Sequence, residues 1–273
     1  MAILTLLLAC LACNLPDLAP SPTPMPPPTP TLRPTPTPEP PDTGWSPLAP
    51  GLEWREVNVA AGTATERLMI ARLEPASFRF RVLYAPGGGQ TVAGWAAGLE
   101  AQPPFLVVNG GYFTPEYRAT GLLVSGGQAY GVSYGGFAGM FAVLPGGRVE
   151  VRWLADRPYD PHEMLVEAVQ SFPVLVKPGG VLGFPADADD GQPARRTVVA
   201  QDQAGRILFI IAPRGYLSLH ALARWLVSSD LALDVALNLD GGQSTGLYLE
   251  AGGTRVSEDS LSPLPAVIVV EGR

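Results

Sequence analysis

Residues 236–246 read ALNLDGGQSTG. The apolar residues at the start of this stretch indicate the end of a buried strand, and a carboxylate, Asp240, follows at once. The backbone N–H groups of the Gly241-Gly242 pair can approach an anion closely because glycine has no side chain. The stretch predicts either a strand-end site for a phosphorylated or sugar-like substrate or a tight turn closed by its own polar side chains.

A second stretch follows the same plan. Residues 105–113 read FLVVNGGYF, in which an apolar strand ends on the amide of Asn109 and a Gly-Gly pair follows. Loops at strand ends commonly carry binding sites. The ring of Tyr112 can stack on a sugar, whereas Phe113 is better explained by packing in the core. Two such turns predict one shared site, assembled from distant parts of the chain.

Four segments resemble the signatures of the phosphodiester glycosidase family, in the family's order. Residues 109–113, NGGYF, are similar to its NGGFF or NAGFF signature, and residues 171–180 are similar to its P-x-L-V-x-x-G segment. Residues 194–205 are similar to R-T-A-I-G-x-D-x-x-G, and residues 238–244 are similar to NLDGGGS. The resemblance covers about residues 105–250 and implies hydrolysis of a sugar from a phosphodiester-linked glycan, without a cofactor.

The resemblance also implies roles for particular residues. Asp240 would act as base or nucleophile, and Arg196 would hold the phosphate, because a guanidinium binds phosphate through paired hydrogen bonds. An ion pair with a nearby acid is the alternative for Arg196. Asn109 would orient a sugar hydroxyl or the phosphate. The expected substrate-binding residues are Gly110, Gly111, Tyr112, Asn238, Gly241, Gly242, Gln243, Ser244 and Thr245.

Three positions depart from the family pattern. Gln243 stands where the signature has a third glycine, and Ala200 stands where the Arg-Thr segment has glycine. Ala221 takes the place of a helix glutamate. The enzyme is favoured because Asp240, Arg196 and Asn109 are all intact. The departures at Gln243 and Ala200 keep a second hypothesis open, a non-catalytic surface module that binds phosphoglycans.

A sugar 1-phosphodiester needs less proton donation than an ordinary glycoside, because its leaving phosphate is only weakly basic. The usual requirement for two carboxylates is relaxed accordingly. A second acid, if one exists, is Asp202, Asp234 or Glu167, and the sequence does not rank them. Cleavage of the C–O bond and cleavage of the P–O bond both stay open.

Composition argues against other classes of function. The chain has 273 residues, a net charge of −7 and two histidines, and it shows no cluster of basic residues, so no nucleic-acid partner is expected. It has no zinc spacing of Cys and His and no Walker-type loop. His162 and His220 are read as loop and helix surface residues. The acidic loop at residues 187–190 is read as solvated, so no metal is expected.

The first thirteen residues form an apolar run that is too short to span a bilayer and predicts an export signal. Residues 7–10, LLAC, resemble a lipobox, in which the cysteine is acylated. Cys10 is the first candidate for lipidation and Cys13 is the second. The pattern predicts an exported cell-surface protein with a lipid anchor in the membrane. A misassigned start is the alternative, because the usual basic residues are missing.

Residues 16–50 hold fifteen of the thirty prolines, alternating with Thr and Ser. This composition predicts a linker without regular structure over residues 14–50 and one domain over residues 51–273. Two helices are expected in the domain, over residues 91–101 and after an N-cap at Ser218. With many short strands, they predict an α+β fold that is mostly β, with mixed or antiparallel sheets. Strands are expected at residues 66–73, 78–84, 105–109, 121–132, 141–151, 174–182, 197–201, 207–212, 231–239 and 266–270.

Overall fold

The computed structural model describes residues 40–135 and 138–273. The expected export signal, both cysteines and the linker up to residue 39 lie outside the described residues. The described residues belong to one unit, Pro40–Arg273. None of the helices among them is long and apolar enough to cross a membrane.

The described residues form eighteen strands and two α-helices. Short 3-10 helices lie at Pro75–Ser77, Ala186–Ala188 and Gly242–Ser244. The helices are α1 (Val92–Ala97) and α2 (Leu219–Ser228). The strands are β1 (Ser46–Ala49), β2 (Leu52–Ala61), β3 (Ala64–Leu73), β4 (Phe78–Tyr84), β5 (Phe105–Asn109), β6 (Leu123–Ser125), β7 (Gln128–Tyr130), β8 (Gly139–Val143), β9 (Val149–Trp153), β10 (Glu167–Ser171), β11 (Val174–Lys177), β12 (Val181–Leu182), β13 (Arg196–Asp202), β14 (Ile207–Ala212), β15 (Leu233–Asn238), β16 (Leu247–Ala251), β17 (Thr254–Glu258) and β18 (Ala266–Gly272).

The strands form three sheets. The largest has the order β1-β2-β3-β14-β13-β15-β11-β12, and the two five-stranded sheets have the orders β17-β16-β5-β18-β4 and β7-β6-β10-β8-β9. Within each sheet, all paired strands run antiparallel. The expected α+β fold, mostly β with a few helices, is confirmed.

Strand β14 shows why the large sheet is central. All six of its residues are buried, and alternate side chains enter two different cores. Ile207, Phe209 and Ile211 join the core shared by the three sheets. The residues between them join the core beneath α2, whose buried stripe contains Leu222 and Leu226. The large sheet is therefore a middle layer, and the strand ends on which the site depends are held from both sides.

The N-terminal boundary of the domain differs from the expected one. Strand β1 pairs with β2, and Asp42 and Arg55 form an ion pair. The guanidinium of Arg72 lies 3.6 Å from the centroid of the Trp45 ring. The prediction of a structureless linker is therefore wrong for residues 40–50. Proline in this segment is compatible with a sheet because β1 is an edge strand.

Candidate active site

Asp240 lies two residues beyond the end of β15, at the turn into the 3-10 helix Gly242–Ser244. Its Oδ1 accepts the N–H of Gly241 at 2.9 Å, and the side chain of Ser244 also bonds to the carboxylate. Burial raises the pKa of Asp240 to about 6, although the bonds from Ser244 and Gly241 favour the charged form. The group is thus ionised at neutral pH, yet it is a stronger base than an exposed aspartate.

The glycine turn beside Asp240 does not form the expected anion nest. The N–H of Gly241 bonds to Asp240, and the N–H of Gly242 donates to the carbonyl oxygen of Arg195 at 2.8 Å. Both N–H groups are engaged inside the protein, so this part of the prediction is wrong. A Cβ on Gly241 would lie 2.9 Å from the Arg195 oxygen, so glycine allows the turn to press against residues 195–196.

Asn109 connects the two turns that the sequence singled out. Its Nδ2 donates to the backbone oxygen of Asp240 at 2.7 Å. Its Oδ1 accepts from the hydroxyl of Thr197 at 2.7 Å and from the N–H of Gly246 at 3.1 Å. The side chain is buried, and both ends of its amide are engaged. Asn109 is therefore a positioning residue, which differs from the expected contact with sugar or phosphate.

Other members of the expected substrate-binding set are also structural. Thr245 is fully buried, with its hydroxyl 3.3 Å from that of Thr197. The N–H of Gly110 donates to Ala266, and its carbonyl accepts the N–H of Asp240. A Cβ on Gly111 would lie 2.8 Å from Val169, so this glycine serves close packing. Of the turn residues, Gln243 is exposed and can reach a ligand.

Tyr112 is close enough to Asp240 and Arg196 for both charges to act on it. Its hydroxyl donates to the carbonyl of Phe172 and accepts from Nδ2 of Asn238 at 2.9 Å. Burial raises the pKa of Tyr112, the charge of Asp240 raises it further, and the charge of Arg196 lowers it. Both Asp240 and Arg196 are thus near Tyr112, and Asn109 bonds directly to the backbone of Asp240. The structure therefore brings the three predicted catalytic residues, Asn109, Arg196 and Asp240, together around the Asp240 turn.

Arg196 begins β13 and is half-buried. Its Nη2 donates to the carbonyl of Gln192 at 2.9 Å, while its Nε is buried without a hydrogen-bond partner among the described residues. Burial lowers the pKa of Arg196, and the charges of Tyr112, Asp190 and Asp189 act in the opposite direction. Arg196 forms no ion pair with a described residue, so the alternative role weighed for it is not seen.

Comparison with known proteins assigns the family. A model of the phosphodiester glycosidase family matches residues 105–271. The chain belongs to the phosphodiester glycosidase family. The resemblance seen in the sequence is thereby confirmed.

Solved structures share the fold. The catalytic domain of zebrafish N-acetylglucosamine-1-phosphodiester alpha-N-acetylglucosaminidase, auto-inhibited by its pro-peptide, matches with a TM-score of 0.62 and 20% identity, over 84% of this chain and 85% of that chain. A hypothetical protein from Synechocystis matches with a TM-score of 0.55 and 16% identity, over 82% and 62%. A Burkholderia pseudomallei protein matches with a TM-score of 0.55 and 14% identity, over 77% and 75%. A search of curated proteins found no match in sequence.

This member of the phosphodiester glycosidase family has most of its described unsatisfied polar atoms around one site. Among the described residues, seven buried side-chain nitrogen or oxygen atoms have no hydrogen-bond partner within the protein, and six of them belong to this site. Each such atom costs about 1–3 kcal/mol, so a cluster calls for an explanation, and a polar ligand supplies one. The six atoms are Ser171 Oγ, Asp189 Oδ1, Arg195 Nε, Arg195 Nη1, Arg196 Nε and Asn238 Oδ1.

Arg195 and Ser171 were not among the predicted site residues. The adjacency of Arg195 to Arg196 was a visible signal, but a local pattern does not show which N–H groups stay unpaired. Ser171 ends β10 directly before Phe172, whose ring lies 4.7 Å from that of Tyr112. Both residues extend the site that the family motifs outline.

None of the three candidates for a second acid lies at the site. Asp202 ends β13 and Asp234 lies at the start of β15, so both stand at the strand ends opposite to Arg196 and Asn238. Asp202 bonds to Arg206 and to the N–H groups of its own turn. Glu167 begins β10, whose other end carries Ser171, and it accepts N–H groups from Val82 and Gly126. Asp240 is thus the one predicted acid that the fold places with the arginines.

His220 on α2 has its Nδ1 2.9 Å from the carbonyl oxygen of Phe184. No group of three or more His, Cys, Asp or Glu side chains within residues 40–135 and 138–273 is arranged to hold a metal ion.

Proposed function

We propose that this protein hydrolyses a sugar 1-phosphodiester and thereby releases a sugar from a phosphodiester-linked glycan. One observation carries the proposal. A half-buried carboxylate with a raised pKa lies in a turn that bonds to the backbone of Arg195, and Arg195 and Arg196 both have buried N–H groups without partners among the described residues. In a family of phosphodiester glycosidases, this combination suits a base beside an anionic leaving group.

Asp240 is the base in the proposed reaction. It takes a proton from water, the water oxygen bonds to C1 of the sugar, and the C1–O bond breaks. The bonding electron pair leaves with the phosphate, which becomes a phosphomonoester. The bonds from Gly241 and Ser244 hold the carboxylate in place, and Asn109 fixes its backbone.

Arg196 binds the phosphate of the substrate. A guanidinium suits this role because its planar N–H groups match phosphate oxygens and its charge persists at any working pH. The partly exposed ring of Phe172, packed on Tyr112, offers an apolar face for the sugar. The free Oδ1 of Asn238 accepts a sugar hydroxyl.

We place the protein at the cell surface as a lipid-anchored lipoprotein. The supporting observations are the apolar run over residues 1–13, the LLAC segment ending at Cys10, the nearby Cys13, and the Pro/Thr-rich residues that follow. A surface enzyme of this kind meets phosphodiester linkages in cell-wall polymers and exopolysaccharide. Its partners are then the glycan and the membrane.

A screen of sugar 1-phosphodiesters against the purified full chain tests the proposal. The expected products are a free sugar and a phosphomonoester, and hydrolysis in ¹⁸O-labelled water should place the label on the sugar. Label on the phosphate would show P–O cleavage and overturn the assignment of Asp240. Asp240→Asn serves as the inactive control for contaminating hydrolases.

The non-catalytic phosphoglycan-binding module is the second candidate. None of the three candidates for a second acid lies at the described part of the site, which favours it, as does the exposed Gln243 on the turn. Tight binding of a sugar phosphodiester without turnover, in wild type and in Asp240→Asn alike, would establish that function instead.

A further inference from the structure

Arg195 and Arg196 differ from the other buried or half-buried arginines of the described fold. Neither forms an ion pair with a described residue. The other arginines that are buried or half-buried each contact a carboxylate, so the fold normally compensates such a charge. Those compensated arginines are Arg55, Arg67, Arg72, Arg81, Arg152 and Arg206.

Arg195 keeps most of its donors unused. Its Nη2 donates to the backbone oxygen of Asp259 at 3.1 Å, while Nε and Nη1 are buried and have no partner among the described residues. The Asp259 side chain forms no ion pair with Arg195, and its Oδ1 accepts the N–H groups of Ala93 and Ser260 instead. An uncompensated guanidinium with buried donors suits an anionic ligand.

The backbone places Arg195 at the catalytic turn. Its carbonyl oxygen accepts the N–H of Gly242, which stands two residues after Asp240. This backbone contact brings Arg195, and Arg196 beside it, next to the turn that carries the proposed base.

The proposed reaction adds a second negative charge to the phosphate, and a single arginine carries only one positive charge. A phosphodiester carries a single negative charge, whereas the phosphomonoester product carries close to two at neutral pH, because its second pKa is about 6. The second charge grows on the leaving oxygen as the C1–O bond breaks and its electron pair moves to the phosphate. A second cation stabilises this late charge more than it stabilises the bound substrate.

We propose that Arg195 is a second phosphate contact, which matches the negative charge that the leaving phosphate gains during hydrolysis. This inference rests on the proposed function. Arg196 holds the phosphate in both the ground state and the transition state, whereas Arg195 acts mainly in the transition state and on the product. The site should accordingly prefer a phosphate dianion to a monoanion.

The test compares two small anions on the purified full chain, by calorimetry at about pH 8, where a monoester is a dianion. The probes are ethyl phosphate and diethyl phosphate. Arg195→Gln should weaken the binding of ethyl phosphate about tenfold to a hundredfold, as expected for loss of a charged hydrogen bond. It should weaken the binding of diethyl phosphate much less. Arg196→Gln should weaken the binding of both anions. Arg224→Gln, which removes an exposed charge on α2, is the matched control and should weaken neither.

Kinetics give an independent readout. With a sugar 1-phosphodiester, Arg195→Gln should lower kcat more than it raises KM, and Arg195→Lys, which keeps the charge, should recover part of kcat. Thermal unfolding checks that each variant is folded. An equal loss for the two anions, or no loss for either, would overturn the role of Arg195.

The outcomes separate this inference from the proposed function. Turnover that is unchanged in Arg195→Gln removes Arg195 from the mechanism and leaves the hydrolase intact. The protein could instead bind the dianion preferentially through Arg195 and yet hydrolyse no sugar phosphodiester. That result would support Arg195 as a phosphate contact and would overturn the proposed hydrolase activity.

Discussion

Replacing Asp240 by asparagine should stabilise the protein at neutral pH while it abolishes activity. Folding raises the pKa of Asp240 from 3.8 to about 6, so the folded state binds this proton more tightly than the unfolded state. The raised pKa corresponds to roughly two units, each worth ~1.4 kcal/mol. The group therefore costs the folded protein up to about 3 kcal/mol once it is ionised in both states.

The sign of the pH dependence follows from the direction of the pKa change. Below the unfolded pKa the carboxyl is protonated in both states, and it costs nothing. As pH rises from about 4 to about 6 the unfolded chain loses its proton first, and the free energy of unfolding falls. Asparagine keeps the shape and accepts the Gly241 N–H, but it has no charge to bury.

Urea unfolding of wild type and Asp240→Asn across this pH range measures the effect. The two proteins should be nearly equal at about pH 4, and the variant should be more stable by up to about 3 kcal/mol above about pH 7. Asp187→Asn, which changes an exposed carboxylate, is the control and should not alter the pH dependence. A stability difference between wild type and Asp240→Asn that does not change with pH would refute the reasoning.

Four further predictions concern activity and stability. In wild type, kcat/KM should rise with pH through about 6 as Asp240 ionises, and Asp240→Asn should reduce kcat at least a hundredfold with substrate binding retained. Arg196→Ala should both raise KM and lower kcat, which steady-state kinetics would show. Asn109→Ala should cost about 1–3 kcal/mol in urea unfolding, because the buried N–H of Gly246 and the backbone oxygen of Asp240 lose their Asn109 partner. A chain that starts at residue 51 should melt at a lower temperature than one that starts at residue 40, and equal melting would contradict the role of β1.

Much of the fold is predictable where hydrophobic periodicity is strong. Strand β4 was predicted to the residue, because its arginines alternate with buried apolar side chains. The segment over residues 121–132 was predicted as one strand but is a hairpin. Its turn, Gly126-Gly127, has positive φ at both glycines, the conformation of tight hairpin turns.

Other elements were missed because long-range contacts stabilise them. Strand β10 carries Glu167, whose carboxylate accepts N–H groups from Val82 and Gly126, and Gln170, whose side chain bonds to the N–H of Leu122. In the sequence alone, polar residues of this kind indicate a loop, because the distant groups that bond to them are not visible. Strand β17 is partly exposed throughout and owes its place to pairing with β16.

The site shows the same division. Asp240 and Arg196 stood out because their residue types suit the chemistry. The functions of the glycine N–H groups, Asn109 and Arg195 depend on which hydrogen bonds the folded chain completes. Local sequence does not contain that information, since Gly242 bonds to Arg195, 47 positions away, and Asn109 bonds to Gly246, 137 positions away.

The edge strand β1 affects whether neighbouring molecules can add a strand to the large sheet. β1 stands at the edge of the large sheet, and it covers the edge of the ten-residue strand β2. Pro47 within β1 has no N–H to donate, so another chain finds an incomplete ladder on which to add a strand. At high protein concentration this segment would act as a barrier to sheet-to-sheet aggregation. Shortened molecules that expose β2 would lose that protection.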